Sequence, residues 1–177
     1  ATLEVIHQIY DPQGKLQQTL KQRLSVKAGE TQTVRKTSAI GQPQLWSPES
    51  PRLYEIVTTL RNPKTGMELD RSTHKTGFRW FSFDGDKLRG VNRHQDQAPV
   101  GVALDDEAHR RDIRLIKEMG CNFIRIAHYP QDDALVEACD EMGLLAWEEI
   151  PIINIVPDTP GYDDNCETNL TEMIRQH

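Results

Sequence analysis

Two stretches decide how this chain folds: Glu118-Met-Gly-Cys-Asn-Phe-Ile-Arg-Ile-Ala-His128 and Glu141-Met-Gly-Leu-Leu-Ala-Trp-Glu-Glu149, which begin 23 residues apart. In each, a Glu-Met-Gly string is followed at once by a short apolar run. Glycine is the residue that closes a helix in the left-handed conformation. A buried strand directly after such a glycine marks a helix–strand unit of a parallel α/β architecture. Upstream of the first glycine, Asp105 to Met119 predicts a helix, capped by Asp105 or Asp106, with Ala108, Ile113, Leu115, Ile116 and Met119 as its apolar stripe. Upstream of the second, Asp132 or Asp133 opens a helix carrying Ala134, Leu135, Ala138, Cys139 and Met142 on one side. Lys87–Asn92, Asn122–Ala127 and Leu144–Glu149 are the strands, and Thr168–His177 starts a further helix.

Before about residue 80 the pattern differs. Strands are predicted at Ala1–Tyr10, Leu16–Val26, Thr31–Lys36, Leu53–Arg61 and Met67–Phe83. Turn signals at Asp11–Lys15, Ala28–Glu30 and Asn62–Gly66 separate them. Short strands between such turns predict an antiparallel β-sandwich.

Composition excludes several classes. The 177 residues carry a formal net charge of −6, which argues against nucleic acid or a membrane surface as the main partner. No run approaches the roughly 18–20 apolar residues of a membrane span. The N-terminus has neither the basic start nor the apolar core of a signal peptide. Cys121, Cys139 and Cys166 are too widely spaced for a metal knuckle, and Cys121 and Cys139, within apolar patterns, are read as small buried hydrophobes. No glycine-rich nucleotide loop follows any strand.

Polar residues collect where the later strands end: Asn92-Arg-His-Gln-Asp96, Arg125-Ile-Ala-His-Tyr-Pro130 and Trp147-Glu-Glu149. In parallel α/β folds this is the edge where ligands bind. His94 and His128 with Asp96 or Glu149 could ligate a divalent ion, but the spacing fits no metal pattern, and imidazoles bonded to sugar hydroxyls fit better. Glu148 and Glu149 are adjacent on a strand and point to opposite faces. They therefore supply at most one site carboxylate. Trp147 suits either a sugar ring or the core. His7, His74, His109 and His177 read as surface or capping residues.

Leu88-Arg-Gly-Val-Asn-Arg-His94 with Gln95-Asp96 resembles the first barrel strand of glycoside hydrolase family 2. Asn122-Phe-Ile-Arg-Ile-Ala-His-Tyr-Pro130 and Cys139-Asp-Glu-Met-Gly-Leu-Leu-Ala-Trp-Glu-Glu149 resemble its second strand, second helix and third strand. Leu45-Trp-Ser-Pro-Glu-Ser-Pro-Arg-Leu-Tyr54 and Gly77-Phe-Arg79 resemble the end of its immunoglobulin-like domain. The resemblance implies an immunoglobulin-like β-sandwich over residues 1–80. It also implies the first three βα units of an incomplete (β/α)8 TIM barrel over 81–177. Arg125 would help hold the nucleophilic carboxylate. His94, Asp96, His128 and Glu149 would bind substrate, Glu149 holding magnesium in some family members; no other cofactor is implied. Asn92 and Arg93 would be supports.

The family's acid/base glutamate follows an asparagine at the end of strand four, and this chain contains no Asn-Glu pair. With the nucleophile on strand seven, the chain is expected to be an inactive fragment of a retaining β-glycosidase. The family's hairpin is replaced by Phe83-Asp-Gly-Asp-Lys-Leu88. A β-linked glycoside is the expected substrate and a homo-oligomer a possible assembly. A bacterial cytoplasm or periplasm is the expected compartment. β-Galactosidase comes first on Asn92–Asp96, ahead of β-glucuronidase and β-mannosidase. A non-catalytic carbohydrate-binding or structural fragment is the alternative.

Overall fold

The computed structural model describes residues 1–80 and 87–176. The end of the expected Met67–Phe83 strand, most of the Phe83–Leu88 connection and His177 lie outside the described residues. The chain divides into two units, Ala1–Trp80 and Phe81–His177.

In the first unit, β1 (Thr2–Tyr10), β2 (Leu16–Ser25), β3 (Tyr54–Arg61) and β4 (Glu68–Thr76) form one antiparallel sheet in the order β2-β1-β3-β4. Both hairpins follow from their turns. Asp11 Oδ1 accepts from the backbone N–H groups of Gln13 and Lys15, and Gly14 takes φ +78°. Gly66, at φ +74°, closes the second turn. On one face, buried Glu4 accepts hydrogen bonds from Arg23 (3.1 Å) and Arg61 (2.6 Å) across the sheet. Those bonds hold its carboxyl below the usual range.

Of the expected sandwich, one sheet is formed among the described residues. Thr31–Lys36 is not a strand. Its β-branched residues favour extended backbone, but only Val34 is even partly buried, so no apolar face anchors it to a partner. Gln18 and Gln32 instead hold this segment loosely, through bonds to the carbonyls of Ala39 and Ser25. Further on, Trp46 is buried, and an isolated parallel bridge joins Leu45 to Phe78.

In the second unit, β5 (Gly90–Arg93), β6 (Phe123–Ile126) and β7 (Leu145–Glu148) are parallel, in the order β5-β6-β7. They are linked by α1 (Asp106–Glu118) and α2 (Asp133–Met142), and α3 (Tyr162–Gln176) follows, beginning six residues earlier than Thr168. Asp105 and Asp132 are the N-caps, accepting from the N–H groups of Ala108 and Ala134. Gly143 ends α2 at φ 75°. Ile113 and Ile116 from α1, Ile124 and Ile126 from β6, and Leu135, Ala138 and Cys139 from α2 make one core. Burial pushes the Cys139 thiol up to about 12, so it stays protonated and inert.

The stripe of α1 is rotated from expectation. Leu115 and Met119 are exposed, while His109 is buried in line with Ile113 and Ile116. Positions 109, 113 and 116 lie at i, i+4 and i+7, a single helical face that Leu115 and Met119 do not share. Reading His109 as a surface residue is therefore corrected.

Candidate functional site

Strand parity decides which side chains can meet. The helix-packed face of β6 carries Ile124 and Ile126, so Phe123 and Arg125 face the other way. Register places Asn92 and Trp147 beside Arg125, and Arg93 and Glu148 beside Ile126. Arg93 accordingly turns toward the helices. There it pairs with Asp112 on α1 (2.9 Å) and donates to Gln131 Oε1 (2.6 Å). One residue past β7, Glu149 returns to the face of Arg125.

There the carboxylate is held at both oxygens. Arg125 Nε donates to Oε1 (2.5 Å) and Nη2 to Oε2 (3.1 Å). His128 Nδ1 lies 3.1 Å from the same Oε2 and 3.3 Å from Arg125 Nη2. A carboxylate can only accept, so Nδ1 carries a hydrogen in this pair, and Nε2 is left for another partner. The Arg125 guanidinium, then His128, hold the Glu149 carboxyl below its usual range, against the opposing effect of burial. Among the described residues, Arg125 Nη1 has no bonded partner, leaving two N–H donors for another acceptor.

The imidazoles of His94 and His128 lie 5.4 Å apart, tilted by 60°. His94 also lies 6.2 Å from the Tyr129 ring. Asp96 is exposed and makes no bonded contact among the described residues. Thus four of the five expected residues, Arg125, His128, Glu149 and His94, are linked by contacts, and Asp96 makes none with them among the described residues. Trp147 is 59% exposed and lines an open cleft of about 480 Å³ with Arg125, His128, Glu149, Ile152, Ile153 and Leu170. Its core reading is corrected, because its strand parity turns it away from the helices.

A magnesium ion at Glu149 would have to share the carboxylate with Arg125 and His128. Oε1 accepts from Arg125, and Oε2 lies against both Arg125 and His128. Among the described residues no group of three or more His, Cys, Asp or Glu could hold a metal ion. No helix of the described residues is long and apolar enough to cross a membrane.

Sequence reasoning missed Gln131. It is buried, and its amide donates to the carbonyls of Arg93 (3.0 Å) and Ala127 (3.1 Å). Only its place between Pro130 and a helix cap was visible beforehand, and that reads as a loop.

A parallel βαβαβ sheet with an Arg–Glu–His cluster at its C-terminal edge is a piece of a parallel α/β architecture, which builds ligand sites at that edge. The description "Glycosyl hydrolases family 2, TIM barrel domain" matches residues 87–171, and "Glycosyl hydrolases family 2" matches residues 1–79. The chain belongs to glycosyl hydrolase family 2. It superposes on the crystal structure of Bacteroides uniformis beta-glucuronidase with a TM-score of 0.91 and 62% identity, covering 100% of this chain and 22% of that one. The beta-glucuronidase of Bacteroides fragilis is 36% identical over 156 residues, 78% of this chain and 22% of its own length. The beta-galactosidase of Thermoanaerobacter pseudethanolicus is 38% identical over 143 residues, 75% of this chain and 19% of its own length. The chain therefore spans about a fifth of the length of these relatives.

Proposed function

We propose that this chain supplies one wall of the sugar site of a retaining β-glycosidase, and that the whole protein hydrolyses terminal β-linked glycosides. In this reading residues 1–80 are the immunoglobulin-like domain. Residues 81–177 open the catalytic barrel, whose acid/base and nucleophile carboxylates come from later strands. The observation that carries the reading is the Arg125–Glu149–His128 cluster at the barrel edge.

Each residue has a physical task. Glu149 fixes the plane of the Arg125 guanidinium by two parallel bonds. The free Nη1 donors then suit the nucleophilic carboxylate, whose charge must be held until it attacks the anomeric carbon. His128, oriented by Glu149, offers Nε2 to a sugar hydroxyl, and His94 beside it offers a second imidazole. Asp96, exposed on the loop after β5, would accept from a hydroxyl of the seated sugar. Trp147 provides an apolar face for a ring. Catalysis would proceed by double displacement through a glycosyl-enzyme, with the second carboxyl first protonating the leaving group and then activating water. The 177-residue chain alone would not turn over.

For the sugar, identity of 62% across the whole chain to a beta-glucuronidase favours a β-glucuronide. The β-galactoside reading from Asn92–Asp96 ranks second, with 38% identity to a beta-galactosidase supporting it, and β-mannoside ranks third. The test is kcat/KM of the full-length protein on nitrophenyl β-D-glucuronide, β-D-galactoside and β-D-mannoside. Preference for the glucuronide is the expected result. Preference for the galactoside would shift the reading to a β-galactosidase, and no turnover on any β-glycoside would sink it.

A further inference from the structure

The two site histidines follow different strands, His94 directly after β5 and His128 two residues after β6, and each comes immediately after a backbone carbonyl at its strand's end; Arg93 O also accepts from the Ala127 N–H at 3.3 Å. The Arg93 carbonyl belongs to the peptide leading into His94, and the Ala127 carbonyl to the peptide leading into His128. One side chain reaches both. Gln131 Nε2 donates to Arg93 O at 3.0 Å and to Ala127 O at 3.1 Å, using both of its N–H groups. Its Oε1 accepts from Arg93 Nη1 at 2.6 Å. The orientation of the amide is settled by chemistry. Reversed, it would set an NH2 against a guanidinium and an oxygen against two carbonyls.

Gln131 is itself held. It is 5% exposed, and Arg93 is anchored to Asp112 on α1, which also accepts from Gln97 (3.2 Å). The next residue is tied as well, since the Asp132 N–H donates to Gln95 Oε1 at 3.1 Å. So α1, the ends of β5 and β6, and the start of α2 meet at one amide. Loop-borne side chains are placed no better than the backbone that carries them. An error of about 1 Å in a reacting geometry costs on the order of a hundredfold in rate.

We propose that Gln131 is a positioning residue that sets the spacing and tilt of the His94 and His128 imidazoles by clamping the two peptides that precede them. The proposal rests on reading this cleft as the sugar site. Gln131 touches no substrate; it acts through the two histidines. Replacement by glutamate keeps its size and its bond from Arg93 but removes both donations and turns an anionic oxygen toward two carbonyls. A glutamate therefore tests the donations rather than the packing.

The experiment uses the full-length protein carrying Gln131→Glu, with Leu135→Ala in the α2 core as a destabilised control. For Gln131→Glu we expect kcat/KM on the preferred nitrophenyl glycoside to fall at least ~10-fold. We also expect the acid limb of its pH profile to move and the crystal structure to show the two rings away from their 5.4 Å spacing. Leu135→Ala should lower Tm while leaving kcat/KM and the pH profile near wild type at 25 °C. Loss of activity in proportion to loss of Tm in both variants, with an unmoved pH profile, would overturn the proposal. So would a Gln131→Glu enzyme with wild-type rates and rings in place. If that variant does not fold, Gln131→Met, which buries no charge, is read by the same criteria. If the wild-type protein cleaves no β-glycoside, the functional reading fails separately. The ring spacing in the variant crystal then decides the clamp alone: displaced rings support it and unmoved rings overturn it.

Discussion

At the residue scale, Glu149 and His109 both lose stabilisation as pH falls, in different pH windows and for different reasons. Glu149 has its pKa lowered from 4.5 by Arg125 and His128. Its contribution is complete above 4.5 and is lost as pH falls through the lower folded value, so the cluster should survive mild acid. Replacing it with glutamine removes the charge that orients Arg125. Charge-assisted hydrogen bonds contribute about 1.5–3 kcal/mol, so Glu149→Gln should reduce kcat/KM of the whole protein by roughly ten- to a hundredfold. His109 acts in the same direction, through burial rather than pairing, and at higher pH. It is 1% exposed, neither ring nitrogen has a hydrogen-bond partner among the described residues, and burial, then the nearby Arg93 charge, lowers its pKa from 6.5. Above 6.5 the ring is neutral in both states. Below it the unfolded chain takes up a proton that the folded ring resists, so stability falls as pH falls. Asp132 on α2, with Asp112 and Asp106 on its own helix, offsets this only in part. His109→Leu should therefore raise Tm more at pH 5 than at pH 8. An equal shift at both would show that the ring does not titrate on unfolding.

At the element scale, β5 and β6 approach so closely at Gly90 that no side chain fits. A Cβ there would stand 2.4 Å from the Phe123 carbonyl oxygen and 2.7 Å from its ring, and the oxygen belongs to backbone that cannot swing aside. Gly90→Ala should thus separate the strands and lower stability by about 1–3 kcal/mol, the usual range for overpacking. Chemical denaturation of the full-length protein measures it. A rate loss greater than the stability loss explains would show that β5 displacement carries Arg93 and His94 with it. The helix ends contribute more modestly: the Asp105 and Asp132 caps are each worth about 1 kcal/mol, and both were visible as aspartates before an apolar run.

At the scale of the whole molecule, apolar surface is distributed unevenly. Ile152, Ile153, Ile155 and Val156 after β7, and Leu170 and Ile174 on α3, are exposed, and α3 buries no residue. Ile152, Ile153 and Leu170 line the same cleft, and large exposed apolar patches are rare on free-standing monomers. Among the described residues β7 has a strand on one side only, and such an edge adds a second route to association. The 177-residue chain on its own should bind ANS strongly and elute above its 20.2 kDa monomer mass. A monodisperse 20.2 kDa species with a sharp melt would contradict this.

What the sequence determined by itself was local and periodic. Turn residues placed the two hairpins, aspartates and glycines placed the ends of α1 and α2, and the polar residues after each short strand marked the edge where Arg125, His94, His128 and Glu149 come together. These features were legible because each depends on neighbours within a few positions of the chain. Only the tertiary structure decided the rest. The Thr31–Lys36 strand had the right propensity and no partner to pair with. His109 took a core position because the phase of a helix is set by the surface it packs on, not by its most apolar residues. Glu149 closed on Arg125, 24 residues away, and Gln131 joined two strands through carbonyls that have no signature in sequence. Such contacts are made by backbone atoms and by residues distant in the chain, and they exist only once the strands lie side by side.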